Sequence, residues 1–167
     1  FRKTASFARS IHPSTEVCYL PLTNAYNPLR FLLKPGEHDR VYSDADLDSI
    51  ASHFAKSDLV CFSSMTAYSD LTKEIIQLTK KINPKTYIIW GGIHPIVHPE
   101  DAIEYPDAIC VGEGETAFKL FLSSFKERGD YTSTKNFWFN HNGTVIRKDF
   151  LPLHPSEEMD QFPFLLY

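Results

Sequence analysis

Three short stretches of the chain combine small and polar residues in a way that a plain loop does not require. The first is Ser63-Ser64-Met65-Thr66, the second is Gly91-Gly92-Ile93-His94-Pro95, and the third is Gly112-Glu113-Gly114-Glu115. Paired glycines let another group approach the backbone closely, because no Cβ fills the space. Hydroxyl side chains donate and accept hydrogen bonds. None of these residues is a convincing nucleophile, acid or base, so the stretches favour binding over catalysis.

Each stretch also has a plainer interpretation. The hydroxyls could only cap a helix or form turns, Gly91-Gly92 could be a turn with positive φ, and Glu113 and Glu115 could interact only with a helix dipole. The third stretch is not Gly-x-Gly-x-x-Gly and lacks the Walker lysine, so it supports neither a dinucleotide site nor a P-loop. His94 and His98 could bind a metal, contact a ligand or belong to a polar loop. No third metal ligand is evident, and we predict no metal site.

The elements that position these stretches alternate between strand and helix. Short apolar runs predict buried strands at residues 59–63, 86–90 and 108–111, and a further strand is expected at 15–20. Helices are expected within 2–11, 43–54, 68–83, 99–105 and 115–128, and a long loop at 21–40. This order predicts a doubly wound parallel α/β sheet, flavodoxin-like or Rossmann-like, with helices on both faces.

The clearest helix lies within residues 68–83 and is expected to bury one apolar stripe, namely Leu71, Ile75, Leu78 and Ile82. Ser69 or Asp70 is expected to cap its amino end, because short polar side chains accept hydrogen bonds from the first free amides of a helix.

The last part of the chain follows a different pattern. Residues 137–147 predict a β-hairpin, because Asn142-Gly143 is a dipeptide that type I′ turns favour. We expect this hairpin to be an appendage outside the parallel sheet. The Pro-rich, acidic stretch that follows is typical of a linker. The predicted domains are therefore an α/β domain at residues 1–130 and a hairpin with a linker at residues 131–167.

The three stretches each follow one of the predicted parallel strands. Ligands of open parallel sheets bind outside the carboxyl ends of the strands. Small residues on several adjacent loops would make a broad, shallow trough at that edge. Such a trough suits a large flat ligand better than a small substrate in a tight pocket.

Composition narrows the class of partner. The chain has 167 residues and a formal net charge of −4, and no basic stripe is present, which argues against nucleic acid. No apolar run approaches the ~20 residues that span a membrane. Cys18, Cys61 and Cys110 lack CxxC spacing, so we expect buried thiols in a reducing cytoplasm rather than a zinc or cluster site. Without an initiator Met, the chain is expected to be a fragment trimmed at its amino end.

Residues 57–118 resemble the cobalamin-binding domain at the N-terminus of cobalamin-dependent radical SAM proteins. In that family one strand ends in Ser or Thr before a long helix, a second ends in Trp-Gly-Gly-x-His-Pro or -Ala, and a third ends in Gly-Glu-Gly-Glu. All three occur here in order. The hairpin and the exit "DQFPF" resemble the link to the radical SAM barrel. The family's first strand is missing here, as is the Asp-x-His-x-x-Gly motif that ligates cobalt in the methionine synthase type.

The resemblance implies that the ligand is cobalamin (vitamin B12), whose nucleotide tail would lie between the glycine-bearing strand ends. Hydroxyls of the first stretch would bond that tail, the third stretch would flank the nucleotide base or corrin edge, and His94 would make an edge contact rather than a cobalt bond. The implied cofactor-binding residues are Ser63, Ser64, Met65, Thr66, Gly91, Gly92, Ile93, His94, Gly112, Glu113 and Gly114. A radical SAM domain of the same parent chain would carry a [4Fe-4S] cluster and S-adenosylmethionine, for methyl transfer or oxidative cyclisation.

A non-catalytic, flavodoxin-like regulatory or interaction domain without a cofactor is the alternative. A receiver domain would need an acidic cluster with a phospho-accepting Asp at the strand ends, where this chain has glycines and serines. A flavin site would need a phosphate-cradling loop after the first strand, which this chain lacks. Absorbance with added hydroxocobalamin distinguishes the two hypotheses.

Overall fold

A five-stranded mixed sheet organises the part of the chain that the computed structural model describes, which is residues 8, 9, 12, 14–21 and 42–152. The strands lie side by side in chain order. Three of them are parallel, and the last two run antiparallel to their neighbours. The strands are β1 (Leu59–Ser63), β2 (Tyr87–Gly91), β3 (Ala108–Cys110), β4 (Phe137–His141) and β5 (Thr144–Arg147).

Within the described residues, one α-helix precedes β1, and four further α-helices and two single 3₁₀ turns lie between the strands. The 3₁₀ turns are Thr66–Tyr68 and Tyr131–Ser133. The helices are α1 (Asp44–Phe54), α2 (Ser69–Ile82), α3 (Ile93–Val97), α4 (Pro99–Ala102) and α5 (Gly114–Lys126). Ser43 and Asp46 form a capping box at the start of α1, which fixes the helix that leads into the first parallel strand.

Both faces of β2 and β3 are covered, as the two-sided apolar pattern predicts, whereas Cys61 and Ser63 of β1 are exposed. On one face, Ile88, Trp90 and Ile109 pack with Ile76 of α2 and Ala102 of α4. The other face carries a second core in which α5 lies over β3 and β4; it includes Ile89, Cys110, Phe118, Phe121 and Phe137. The predicted α/β class with helices on both faces is confirmed.

The buried face of α2 differs from the predicted stripe. Ile75 is buried, but its buried companions are Ser69, Thr72, Ile76 and Thr79, while Ile82 is half exposed. Both threonine hydroxyls donate to the carbonyl four residues earlier, at 2.8 and 2.7 Å. A threonine that satisfies its own hydroxyl in this way can be buried, and a count of apolar residues alone misses it. The predicted side-chain cap is also absent, because Tyr68 occupies the cap position without a side-chain hydrogen bond.

The strand predicted at residues 15–20 is wrong. These residues have no regular structure and pair with no described strand. Cys18 and Cys61 are exposed, and only Cys110 is buried, so the expectation of three buried thiols holds for one. Of the helix expected within 2–11, only Ala8 and Arg9 are described, and both are helical. Apart from residue 21, the loop at 21–40 lies outside the described residues, as does the linker after residue 152.

The hairpin belongs to the sheet, so its prediction as an outside appendage is wrong. β4 pairs antiparallel with β3, with Phe139 opposite Ala108 and Phe137 opposite Cys110. The two phenylalanines are buried, and their packing supplies the physical reason, since the hairpin covers an otherwise unpaired strand edge. Asn142 and Gly143 have φ of 52° and 86°, which confirms the predicted turn.

None of the described helices is long and apolar enough to cross a bilayer. The longest, α2, has 14 residues.

Candidate functional site

The carboxyl ends of the three parallel strands meet at one edge of the sheet, and each predicted stretch begins there. Ser63 lies beside Gly91 in the β1–β2 register. The pairing continues past the strands, since the Ser64 amide donates to the Gly91 carbonyl and the His94 amide donates to the Ser64 carbonyl, at 3.2 and 3.3 Å. Trp90 lies beside Ile109 in the β2–β3 register. Cys110 and the third stretch therefore lie next to the end of β2. The structure therefore brings the predicted site residues together.

Contacts within the protein itself require a glycine at position 92. Its φ is +97°, and a Cβ built on it would lie 2.6 and 2.7 Å from the carbonyl oxygen and amide nitrogen of Ser64. The turn therefore packs directly on the backbone that follows β1. The resemblance assigned this space to the nucleotide tail of the ligand, whereas the structure fills it with the backbone of Ser64. The plainer interpretation, a turn with positive φ, is confirmed at Gly92.

Gly112 is also constrained from inside the protein. A Cβ at this position would lie 2.9 Å from Cγ of Asn136. The Asn136 side chain, buried just before β4, therefore occupies the space next to the third stretch. Sequence reasoning missed Asn136, and no signal in the sequence reveals it, because it lies 24 residues beyond Gly112.

Gly91 and Gly114 have no such internal constraint. A Cβ on Gly91 would lie 3.7 Å from the Cβ of Cys110, and one on Gly114 would lie 3.9 Å from the Cys110 Sγ. These are ordinary contact distances, and neither glycine has a positive φ. Ser63, Gly91 and Cys110 form one cross-strand row on the α5 side of the sheet, which we call the small-residue row. With Gly114 at the start of α5, it leaves the strand ends open to a large group.

The hydroxyls of the first stretch differ in availability. Ser64 Oγ accepts from Trp90 Nε1 at 2.8 Å and lies 3.1 Å from Thr72 Oγ1. Because both groups are interior, this hydroxyl fixes the β1 end against β2 and α2 and is not free for a ligand. Ser63, Met65 and Thr66 are exposed instead.

His94 is buried rather than placed at an exposed edge. Its side chain is 4% exposed, its ring stacks on Trp90 at a centroid distance of 4.9 Å, and Nε2 lies 2.9 Å from Asp101 Oδ2. A carboxylate only accepts, so Nε2 carries the proton in this contact. Nδ1 is buried and has no hydrogen-bond partner among the described residues. The His94 ring is therefore not exposed for the edge contact that the resemblance implied.

Asp101 joins two helices at this edge. Its carboxylate also pairs with Lys73 of α2, at 2.7 Å. The hydrogen bond from Lys73, followed by the one from His94, holds the pKa of Asp101 below its ordinary value, against an opposing effect of burial. The Asp101 carboxylate in turn raises the pKa of Lys73. Sequence reasoning missed both residues; the only hint was an Asp seven positions after the histidine.

The chemistry available at this edge is that of a binding surface. Burial raises the pKa of the Cys110 thiol to about 11, so it is protonated at neutral pH and is not a nucleophile. Large apolar side chains are exposed beside the strand ends: Met65 (59%), Ile93 (55%), Ile96 (47%) and Val97 (57%). Exposed hydroxyls, open glycines and apolar side chains fit a large ligand with both polar and apolar edges.

Possible metal ligands occur elsewhere among the described residues. Glu16, Cys18 and His53 bring one ligand atom each to within 4.8 Å of one another. All three are exposed, and His53 lies in the last turn of α1, which precedes the amino end of β1. This group is therefore separate from the strand-end surface, whose donors include no comparable set within the described residues.

Solved structures with a similar fold include two of the radical S-adenosylmethionine methyltransferase TsrM from Kitasatospora setae. The structure with cobalamin and a [4Fe-4S] cluster bound is 18% identical, with a TM-score of 0.54, over 68% of this chain and 22% of that one. The structure with tryptophan substrate and the SAM analogue aza-SAM is 16% identical, with a TM-score of 0.60, over 88% and 27%. This chain thus spans about a quarter of TsrM. The comparison with curated proteins gave no match.

A family model for the B12 binding domain matches residues 34–122. The match spans more than half of the chain and includes β1, β2 and β3 with all three loops at their carboxyl ends. The match includes residues 57–118, whose sequence resembles cobalamin-binding domains. The chain belongs to the B12 binding domain family.

Proposed function

We propose that this chain binds cobalamin across the carboxyl ends of β1, β2 and β3. The observation that carries the proposal is the family match, because it covers all three loops that the geometry brings to one edge. The alternative, a flavodoxin-like module without a cofactor, gives no reason for two glycines that the fold itself does not need.

The predicted site residues divide into those that are open to a ligand and those that are engaged in contacts within the protein. Gly91 and Gly114 leave room for close approach of the ligand, and the exposed Ser63 and Thr66 supply hydroxyls for its amide or phosphate groups. Met65 and Ile93 offer apolar surface beside them. The remaining predicted residues shape this surface from within, namely Ser64, Gly92, His94, Gly112 and Glu113, whose carbonyl accepts from Asn136.

The residues of this chain bind and orient the cofactor and shield it from water. When bound, cobalamin supplies the organometallic chemistry of methyl transfer or of radical-based cyclisation. The Cys110 thiol is protonated at neutral pH, and the groups proposed to face the ligand are hydroxyls, glycines and apolar side chains, so the proposed contribution of the protein is binding and positioning.

We further propose that the chain is one module of a cobalamin-dependent radical SAM enzyme. The support is that both TsrM structures share the fold and that the chain spans only 22% and 27% of them. In this proposal a separate radical SAM domain carries the [4Fe-4S] cluster and S-adenosylmethionine, and the division at residue 130 with a linker toward that domain stays a prediction.

The test substitutes glycines whose replacement by alanine the fold can accommodate. Gly91→Ala and Gly114→Ala each add one methyl group at an ordinary contact distance, so the protein should fold. Overpacking against the ligand costs ~1–3 kcal/mol, so hydroxocobalamin affinity should fall roughly fivefold to a hundredfold. Gly129→Ala is the matched control, because its added Cβ lies 3.5 Å from the Ser124 carbonyl, beyond the far end of α5.

Affinity is measured by visible absorbance titration of the protein that carries this chain, with circular dichroism as the folding check. Folded Gly91→Ala and Gly114→Ala proteins that bind as the wild type does would refute the placement. A folded wild type that gives no saturable spectral change would favour the cofactor-free alternative.

A further inference from the structure

Asn136 is a buried polar residue whose conformation and hydrogen bonds point to a specific task. It is 3% exposed, its φ is +65°, and it lies between the second 3₁₀ turn and β4. A left-handed conformation is uncommon outside glycine, though asparagine tolerates it. A buried residue in this state is one that its surroundings hold in place.

Four hydrogen bonds connect Asn136 to two separate segments. On the side of the third stretch, its Nδ2 donates to the Glu113 carbonyl at 2.8 Å, and its own carbonyl accepts from the Val111 amide at 2.9 Å. On the side of the outgoing chain, its Oδ1 accepts from the Leu151 amide at 2.6 Å, and its amide donates to the Asp149 carbonyl at 2.9 Å.

Asn136 thereby joins the loop after β3 to the segment that leaves the sheet. The contact is tight, since Asn136 Cγ occupies the space that a Cβ on Gly112 would need. The third stretch is held by a side chain from the hairpin, and the same side chain holds the chain as it departs from β5.

We propose that Asn136 is a positioning residue that fixes the Gly112-Glu113-Gly114 loop in its ligand-binding conformation and ties that loop to residues 149–151. The inference rests on the proposed cobalamin site, because it gives the loop a ligand to be positioned for. A loop without the bond to the Glu113 carbonyl would sample other conformations, and ordering it on binding would reduce affinity.

The test exploits an isosteric substitution. Asn136→Asp keeps an oxygen for the Leu151 amide and replaces the donor to the Glu113 carbonyl with an acceptor. Asn140→Asp is the matched control. In β4, Asn140 Nδ2 donates to the Ile103 carbonyl at 3.1 Å and Oδ1 accepts from the Gly143 amide at 2.9 Å, so the same change breaks an equivalent bond in the same hairpin.

We call the Asn136 side-chain bonds to Glu113 and Leu151 the clamp. Two readouts separate the loss of this clamp from its effect on ligand binding. Without cobalamin, Asn136→Asp should speed amide hydrogen exchange within residues 112–116, whereas Asn140→Asp should not. With hydroxocobalamin, Asn136→Asp should weaken binding about tenfold under conditions where thermal melts show both variants to be folded, and Asn140→Asp should bind as the wild type does.

Each outcome bears on one claim. Unchanged exchange at 112–116 in folded Asn136→Asp protein overturns the clamp. Faster exchange with wild-type affinity overturns the positioning role. A wild type that binds no cobalamin refutes the proposed function, and the exchange experiment still tests the clamp.

Discussion

Gly92→Ala is expected to destabilise the protein far more than Gly91→Ala, although the two glycines are adjacent. Gly92 combines a φ of +97° with a ψ of −167°, a region that is essentially restricted to glycine and costs other residues about 1–3 kcal/mol. Its added Cβ would also lie 2.6 Å from a backbone oxygen, and forced overpacking costs a further ~1–3 kcal/mol.

The sum is about 2–6 kcal/mol, which is a large share of the ~5–15 kcal/mol that stabilises a typical domain. At Gly91 the added Cβ makes ordinary contacts and the backbone is extended. The substitution should therefore be neutral or stabilising by up to about 1 kcal/mol, because alanine restricts the unfolded chain.

The assay is urea unfolding followed by far-ultraviolet circular dichroism, with both variants and the wild type analysed at a common m-value. A Gly92→Ala protein as stable as Gly91→Ala would contradict the assignment of Gly92 to the framework. It would also return this residue to the ligand surface, where sequence reasoning had put it.

Two further predictions follow from contacts at the same edge. Gly112→Ala should destabilise the wild type by roughly 1–3 kcal/mol but cost little in an Asn136→Gly background, because the Asn136 side chain that the new Cβ would meet is then absent. A double-mutant cycle measured by urea unfolding checks this prediction, and additive effects of the two substitutions would contradict it. The pKa of Asp101 is lower in the folded state than its unfolded value of 3.8. The resulting stabilisation of the folded state is fully present above pH 3.8 and is lost as the pH falls through the folded pKa. The difference in melting temperature between wild type and Asp101→Asn should therefore shrink below about pH 4, and a difference constant from pH 3 to 7 would contradict this reasoning.

Three of the four predicted parallel strands were predictable because continuous apolar runs report burial directly. The runs at 59–63, 86–90 and 108–111 each match an observed strand to within one residue at either end. Parallel strands place the loops at their carboxyl ends along one edge, whatever the details of packing. The meeting of the three loops at one edge could therefore be predicted without any coordinates, and the binding of a ligand there stays a proposal.

The errors at the hairpin and at two glycines share a physical cause, which is that these features depend on contacts between residues distant in sequence. The hairpin joins the sheet because Phe137 and Phe139 find a core formed by α5, and turn chemistry alone says nothing about which strand edge a hairpin meets. Likewise, Gly92 and Gly112 are glycines because of Ser64 and Asn136. A sequence shows that a glycine is present but not which neighbour excludes its Cβ.

Hydrogen exchange with and without hydroxocobalamin tests the central claim most directly, because it reports both binding and location. We expect added cobalamin to slow exchange in the loops at residues 63–66, 91–94 and 112–114, with little change elsewhere. An open depression of about 560 Å³ lined by Gln77, Lys80, Lys81, Glu104 and Tyr105 is the internal comparison. It lies around the carboxyl end of α2, away from the strand ends. Protection confined to that depression, or no protection at all in folded protein, would contradict the proposed site.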